Sequence, residues 1–161
     1  MSSRYQVLAR RIQLEVEEIE HTQATIQRHW QIALRTTTDQ DAYLNSVALN
    51  LHSLYSGLER VFELIAVELD GGVLGGEAWH TGLLRQMALD VPDVRPAVLQ
   101  TDTAMRLDEY RKFRHRIRNI YATNLDPERM KHLVLGLPAL WRHVRQDLDR
   151  FVDFLKQLTA D

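Results

Sequence analysis

The chain is predicted to be all-α, an up-and-down bundle of four main helices with additional short helices. Three observations predict it. Apolar residues recur at alternating steps of three and four over several long stretches, which gathers them on one face of a helix. No stretch shows the sustained period-two alternation of a half-buried strand. Glycines and prolines cluster between these stretches, at Gly71-Gly72, Pro92 and Pro96, and Asp126-Pro127.

The first helix is expected over about residues 4–35. Ile12, Val16, Ile19, Gln23, Ile26, Trp30 and Ala33 form its apolar stripe, with Gln23 the one polar member. TTTDQD at 36–41 supplies N-cap candidates, and Asp39 or Asp41 could open the next helix. Leu44, Val47, Leu51, Leu54, Leu58, Val61, Ile65 and Leu69 continue the spacing until Gly71-Gly72 ends it. The two helices are expected to pack antiparallel.

GGVLGGEA at 71–78 reads as a flexible loop; its glycines follow a helix, whereas a phosphate-cradling dinucleotide loop follows a strand. A short helix over about 77–89 precedes VPDVRP, where two prolines predict an extended connection. From about Thr103, a further helix buries Leu107, Tyr110, Phe113, Ile117 and Ile120. Asp126 then acts as N-cap with Pro127 at the first helical position. Met130, Leu133, Leu137, Leu140, Val144, Leu148, Phe151, Leu155 and Leu158 carry the last stripe, which Gly136-Leu137-Pro138 should kink or split.

At 161 residues the chain has the length of a single domain, 1–161, able to bury roughly 70% of its unfolded surface. It contains no Cys, which excludes disulfides, thiolate metal sites and a thiol nucleophile. Neither a signal-peptide core nor a membrane-spanning apolar run is present in the sequence, so a cytoplasmic location without membrane association is expected. No GxSxG, P-loop or HExxH signature occurs. Glu-x-x-His occurs at Glu18–His21 and Glu77–His80, but a di-metal bundle site needs carboxylates from two further helices at the same depth. Coincidence explains the pairs better, and no metal or cofactor is expected.

RKFRHRIRNIY at 111–121 stands apart. Five of the eight residues from Arg111 to Arg118 are Lys or Arg, in a chain of formal net charge -2. On a helix, Arg111, Arg114, Arg118 and Tyr121 share one face, opposite Phe113, Ile117 and Ile120. Such a stripe suits a phosphodiester backbone, which Arg engages with two parallel hydrogen bonds. The plainer reading is a solvated face forming ion pairs with Asp108 and Glu109.

RHRIRNIY, 114–121, resembles the Arg-x4-His-x-Tyr motif of the HepT-like toxins of the HEPN superfamily. Arg114 matches its Arg, His115 the polar residue often found next to it, and Tyr121 its Tyr; Asn119 stands where His is expected. LHSLYSGLERVFELIAVELDGG, WHTGLLRQMALDVPDVRP and NLDPERM extend the resemblance over roughly residues 5–158. It implies a compact HEPN-like helical bundle and a metal-independent endoribonuclease of a toxin–antitoxin pair. It also implies a homodimer in which two motifs meet, RNA as substrate, and an MntA-type nucleotidyltransferase antitoxin able to transfer AMP onto the motif Tyr.

Carried over, Arg114 would bind the scissile phosphate, with Arg111 and Arg118 beside it. Tyr121 would contact RNA and accept AMP. Asn119 cannot move a proton near neutral pH, whereas general acid–base catalysis typically contributes 10²–10⁴-fold. Three explanations stand: His115 substitutes as the base, the protein is a non-catalytic dimeric binding module that still partners a nucleotidyltransferase, or Asn119 is an inactivating change. His115 lies one helical turn from Asn119, about 6 Å away.

Overall fold

The computed structural model describes residues 2–119 and 127–160. These residues form the helices α1 (Ser2–Arg35), α2 (Gln40–Leu69), α3 (Trp79–Met87), α4 (Thr101–Asn119) and α5 (Pro127–Ala160). Among the described residues there is no strand, only an isolated bridge between Val91 and Arg95. α1 packs along both α2 and α5, while α4 closes the bundle against α2 and α5 with α3 beside it. The expected all-α bundle, four long helices and one short, is the observed architecture.

The apolar stripes meet in one core. Ile12, Val16, Ile19, Ile26 and Trp30 of α1 face Val47, Leu51, Leu54, Leu58 and Ile65 of α2, and Leu137, Leu140, Val144, Leu148 and Leu155 of α5, all buried. The α5 stripe ends before Leu158, which is exposed. Gly57 sits at the close approach of α2 to α1: a Cβ there would lie 2.9 Å from Ile19 Cγ1. Asp39 precedes α2 as expected but makes no side-chain capping bond. Gln40 instead turns back to donate to the Ala33 carbonyl at 2.9 Å, tying the turn to the end of α1.

The α2–α4 connection departs from expectation. The stretch 91–95 is a closed turn, with Val91 N–H donating to Arg95 O at 2.9 Å and Arg95 N–H to Val91 O at 3.0 Å. Asp93 takes φ 66 to make it. Two prolines alone favour an extended chain, but the Arg95 side chain overrides them. Its guanidinium, with no exposed surface, donates to both Asp70 oxygens at 2.7 Å and to the carbonyls of Leu89 and Gln86 at 2.8 and 3.1 Å. Gln86 donates to Asp70 Oδ2 at 2.8 Å as well. One buried cation thus fastens the end of α2, the end of α3 and the turn together. Asp147 of α5 accepts Gln100 N–H at 3.1 Å and so fixes where α4 begins.

The expected break at Gly136-Leu137-Pro138 does not occur, for α5 runs unbroken through Pro138. Proline removes the N–H that would bond the carbonyl four residues back, here that of Val134. Gln27 of α1 supplies the missing donor, its Nε2–H reaching Val134 O at 3.0 Å. Tyr110 of α4 donates its hydroxyl to the adjacent Leu133 O at 2.7 Å. Neighbouring helices therefore satisfy the backbone that proline leaves open.

This pairing predicts a thermodynamic coupling. Gln27→Leu should destabilise the fold by about 1–3 kcal/mol, the cost of an unsatisfied buried carbonyl. In a Pro138→Ala background, where the N–H returns, the same change should cost clearly less. Urea denaturation of the two single variants and the double variant measures the difference.

Candidate functional site

The basic stretch does not form one open cationic face. Phe113 and Arg114 of α4 are both buried, each 5% exposed, so the Arg114 guanidinium enters the bundle beside the apolar face it was expected to oppose. A guanidinium cannot be left there uncompensated, because an unpaired buried charge costs several kcal/mol. Glu59 of α2 meets it with Oε1 accepting from Nη1 and Oε2 from Nη2, both at 2.9 Å. The Tyr55 ring, one turn earlier on α2, lies under the guanidinium at 4.8 Å.

His80 of α3 completes the cluster. Its Nδ1 is 2.7 Å from Glu59 Oε2 and 3.0 Å from Arg114 Nη2. A carboxylate accepts only, so the short contact requires a proton on Nδ1, donated to Glu59. Arg114 Nη2 lies close because it donates to the same oxygen. With Nδ1 as the donor to Glu59, Nε2 is the remaining ring nitrogen. Trp79 stacks on the imidazole at a centroid separation of 3.6 Å and fixes its plane. Of the three charged or titratable side chains, His80 reaches solvent: 27% of it is exposed, against 9% of Glu59 and 6% of Arg114.

Burial would raise the Glu59 pKa, but the bonds from Arg114 and His80 outweigh it and hold the carboxyl below its ordinary 4.5. Burial pushes the Tyr55 hydroxyl well above its ordinary range, with Glu59 adding to the effect, so the ring stays neutral. Arg114 Nε is buried without a partner among the described residues. Both terminal nitrogens of Arg114 are already committed to Glu59, so this guanidinium does not present the open fork that grips a phosphate.

Arg111 and Lys112 follow the plainer reading. Arg111 donates to Asp108 at 2.6 Å, and Lys112 lies 3.5 Å from Asp108 and 3.6 Å from Glu109. His115 is exposed, and the imidazole set against Arg114 is that of His80. Arg118 and Asn119 belong to the last turn of α4; their side chains, and all of Tyr121 and Ile120, lie outside the described residues. Among the described residues no three metal-ligating side chains converge, and His80 turns to Glu59, not to Glu77. A groove of about 400 Å³ runs between α3 and α4, starting at Thr81, with Leu84 and Met105 on its walls. Arg85 and Lys112 line it together with Asp108 and Glu109, so it carries no net charge to select a polyanion.

The family model described as HepT-like protein matches residues 46–155. The chain belongs to the HepT-like family. The match spans α3, α4 and most of α2 and α5, and contains Tyr55, Glu59, His80 and Arg114. No curated protein and no solved structure matches the HepT-like chain. Among its described residues no helix is long and apolar enough to cross a membrane.

Sequence reasoning found Arg114 but missed its partners. Glu59 is the charged member of a buried α2 row, Tyr55, Glu59, Phe62 and Ala66, at steps of four, three and four. A lone carboxylate in an apolar row signals a buried cation elsewhere. His80 drew notice only beside Glu77, its sequence neighbour.

Breaking the pair from one side should cost far more than removing it. Glu59→Gln should destabilise the HepT-like chain by about 3–5 kcal/mol, and Glu59→Leu with Arg114→Met should recover most of that. Because the folded pKa of Glu59 is depressed, its contribution is complete above about 4.5 and is lost as pH falls below that value. Urea midpoints measured downward from pH 5 should fall more steeply in the wild type than in Glu59→Gln.

Proposed function

We propose that this HepT-like chain is a metal-independent endoribonuclease toxin, weakened by Asn119 in the motif His position. Its partner would be an MntA-type nucleotidyltransferase antitoxin. The observation that supports this best is that the family match contains the whole Glu59–His80–Arg114 cluster, whose Arg114 lies on the helix that carries the motif. The chemistry would be attack of an RNA 2′-hydroxyl on the adjacent phosphate. Arg114 acts here as the buried anchor of the cluster, while Arg111 and Arg118 are assigned to the RNA backbone. Tyr121 is the acceptor for AMP, and its modification by a bulky anion would block the same surface. The working form is a cytoplasmic homodimer that brings two 111–121 segments together.

A second reading is favoured by a specific observation. Glu59 occupies both terminal nitrogens of Arg114, and an amide stands at 119. A non-catalytic dimeric module that retains the nucleotidyltransferase partner fits both facts.

Expression of the full chain alone and together with a cognate nucleotidyltransferase separates the readings. The toxin reading expects growth arrest and cleaved RNA from the chain alone, and relief with the partner. Relief should coincide with AMP mass increments on the intact protein, absent in Tyr121→Phe. No arrest and no cleavage, with the partner complex still forming, gives the case to the binding module. For RNA binding, Arg111→Ala should lower affinity and flatten its dependence on salt by up to about 0.7 in log–log slope, the share of one single-strand phosphate contact.

A further inference from the structure

We propose that His80, on α3 and outside the motif, is the general base of the site, with Glu59 as its positioning residue. The inference rests on the ribonuclease reading above and deepens it: the imidazole missing at 119 is supplied from another helix. An imidazole serves as a base when one nitrogen is anchored by a carboxylate and the other faces the substrate. The first condition is built here, and part of the ring reaches solvent. Nδ1 is 2.7 Å from Glu59 Oε2, which holds the ring in the tautomer whose lone pair is on Nε2. Trp79 sets the plane of the ring, and a side chain 27% exposed is open to a ligand while the groups behind it are shut.

The surroundings make the dyad more than a surface pair. Glu59 is 7% exposed and is held ionised against its burial by Arg114, so a carboxylate stands ready to stabilise the imidazolium that forms. Arg114 therefore has work to do without touching a phosphate, and this accounts for its position inside the bundle. The charged groups that contact the ring are Glu59 from α2 and Arg114 from α4, with Tyr55 under the Arg114 guanidinium. Thr81, the residue after His80, lines the groove between α3 and α4 together with Leu84 and Met105.

In the step itself, His80 Nε2 takes the proton of a ribose 2′-hydroxyl. The 2′-oxygen bonds to the adjacent phosphorus, and the bond from phosphorus to the 5′-oxygen breaks with its electron pair leaving on that oxygen. The proton is returned to the 5′-oxygen. The products are a 2′,3′-cyclic phosphate and a 5′-hydroxyl, and no co-reactant is consumed.

The test uses the full chain and a mixed-sequence single-stranded RNA, with end-group analysis of the fragments. His80→Asn is the key variant, because its amide N–H can still donate to Glu59 where Nδ1 did, while the Nε2 lone pair is gone. It should fold, bind RNA with unchanged affinity and cleave at least about 10²-fold more slowly. His80→Ala should be equally slow and partly rescued by added imidazole, which a merely structural role would not give; His115→Ala should cleave at the wild-type rate. Cleavage by folded His80→Asn at the wild-type rate would overturn the proposal and leave the ribonuclease reading standing. A wild-type chain that cleaves no RNA would overturn both.

Discussion

A guanidinium inside a bundle of helices constrains everything near it. Its charge has no water to turn to, so the neighbouring helices must provide acceptors, here for the terminal nitrogens. Arg114 imposes this on α2, which answers with Glu59, and through Glu59 on α3, which adds His80. Arg95 imposes it a second time, drawing Asp70, Gln86 and the 91–95 turn around itself. The long stripes of α1, α2 and α5 make a bundle, but they say little about where a nine-residue helix should sit. Buried charge decides that, because α3 is tied at one end to Arg114 through Glu59 and at the other to Arg95.

The same arrangement separates positive charge by role. Arg114 and Arg95 are interior and matched by carboxylates, while Arg111 and Lys112 pair at the surface with Asp108 and Glu109. A run of Lys and Arg in sequence therefore holds different things in space, among them a structural cation at Arg114 and ion-paired side chains at Arg111 and Lys112. The single cationic stripe that the sequence suggested is divided, with Arg114 drawn inside the bundle and the partly exposed His80 imidazole at the edge of its cluster.

Much of the fold was legible because period and punctuation are local signals. The stripe from Ile12 to Trp30 and that from Leu137 to Leu155 became core, and Gly71 and Gly72 followed α2 with φ 80 and 130. What was not legible depends on partners far apart in the chain. Pro138 looked like a break because its remedy, Gln27, lies on α1. VPDVRP looked extended because Asp70, the partner of Arg95, lies at the end of α2. Arg114 looked exposed because an arginine in a basic run carries no mark of Glu59, 55 residues away.

The hydroxyl of Tyr110 and the amide of Gln27, both spent on carbonyls beside Pro138, have a mechanical consequence. A helix pair held by apolar contact alone can slip along its axis with little penalty, since one leucine replaces another. Here a slip of 1.5 Å, one residue's rise, would pull both donors from their acceptors at once. The proline works as a notch that keys α5 to α1 and α4. With those three in one alignment, α3 is fastened to them at both ends, by the Gln86 carbonyl to Arg95 and by His80 to Glu59.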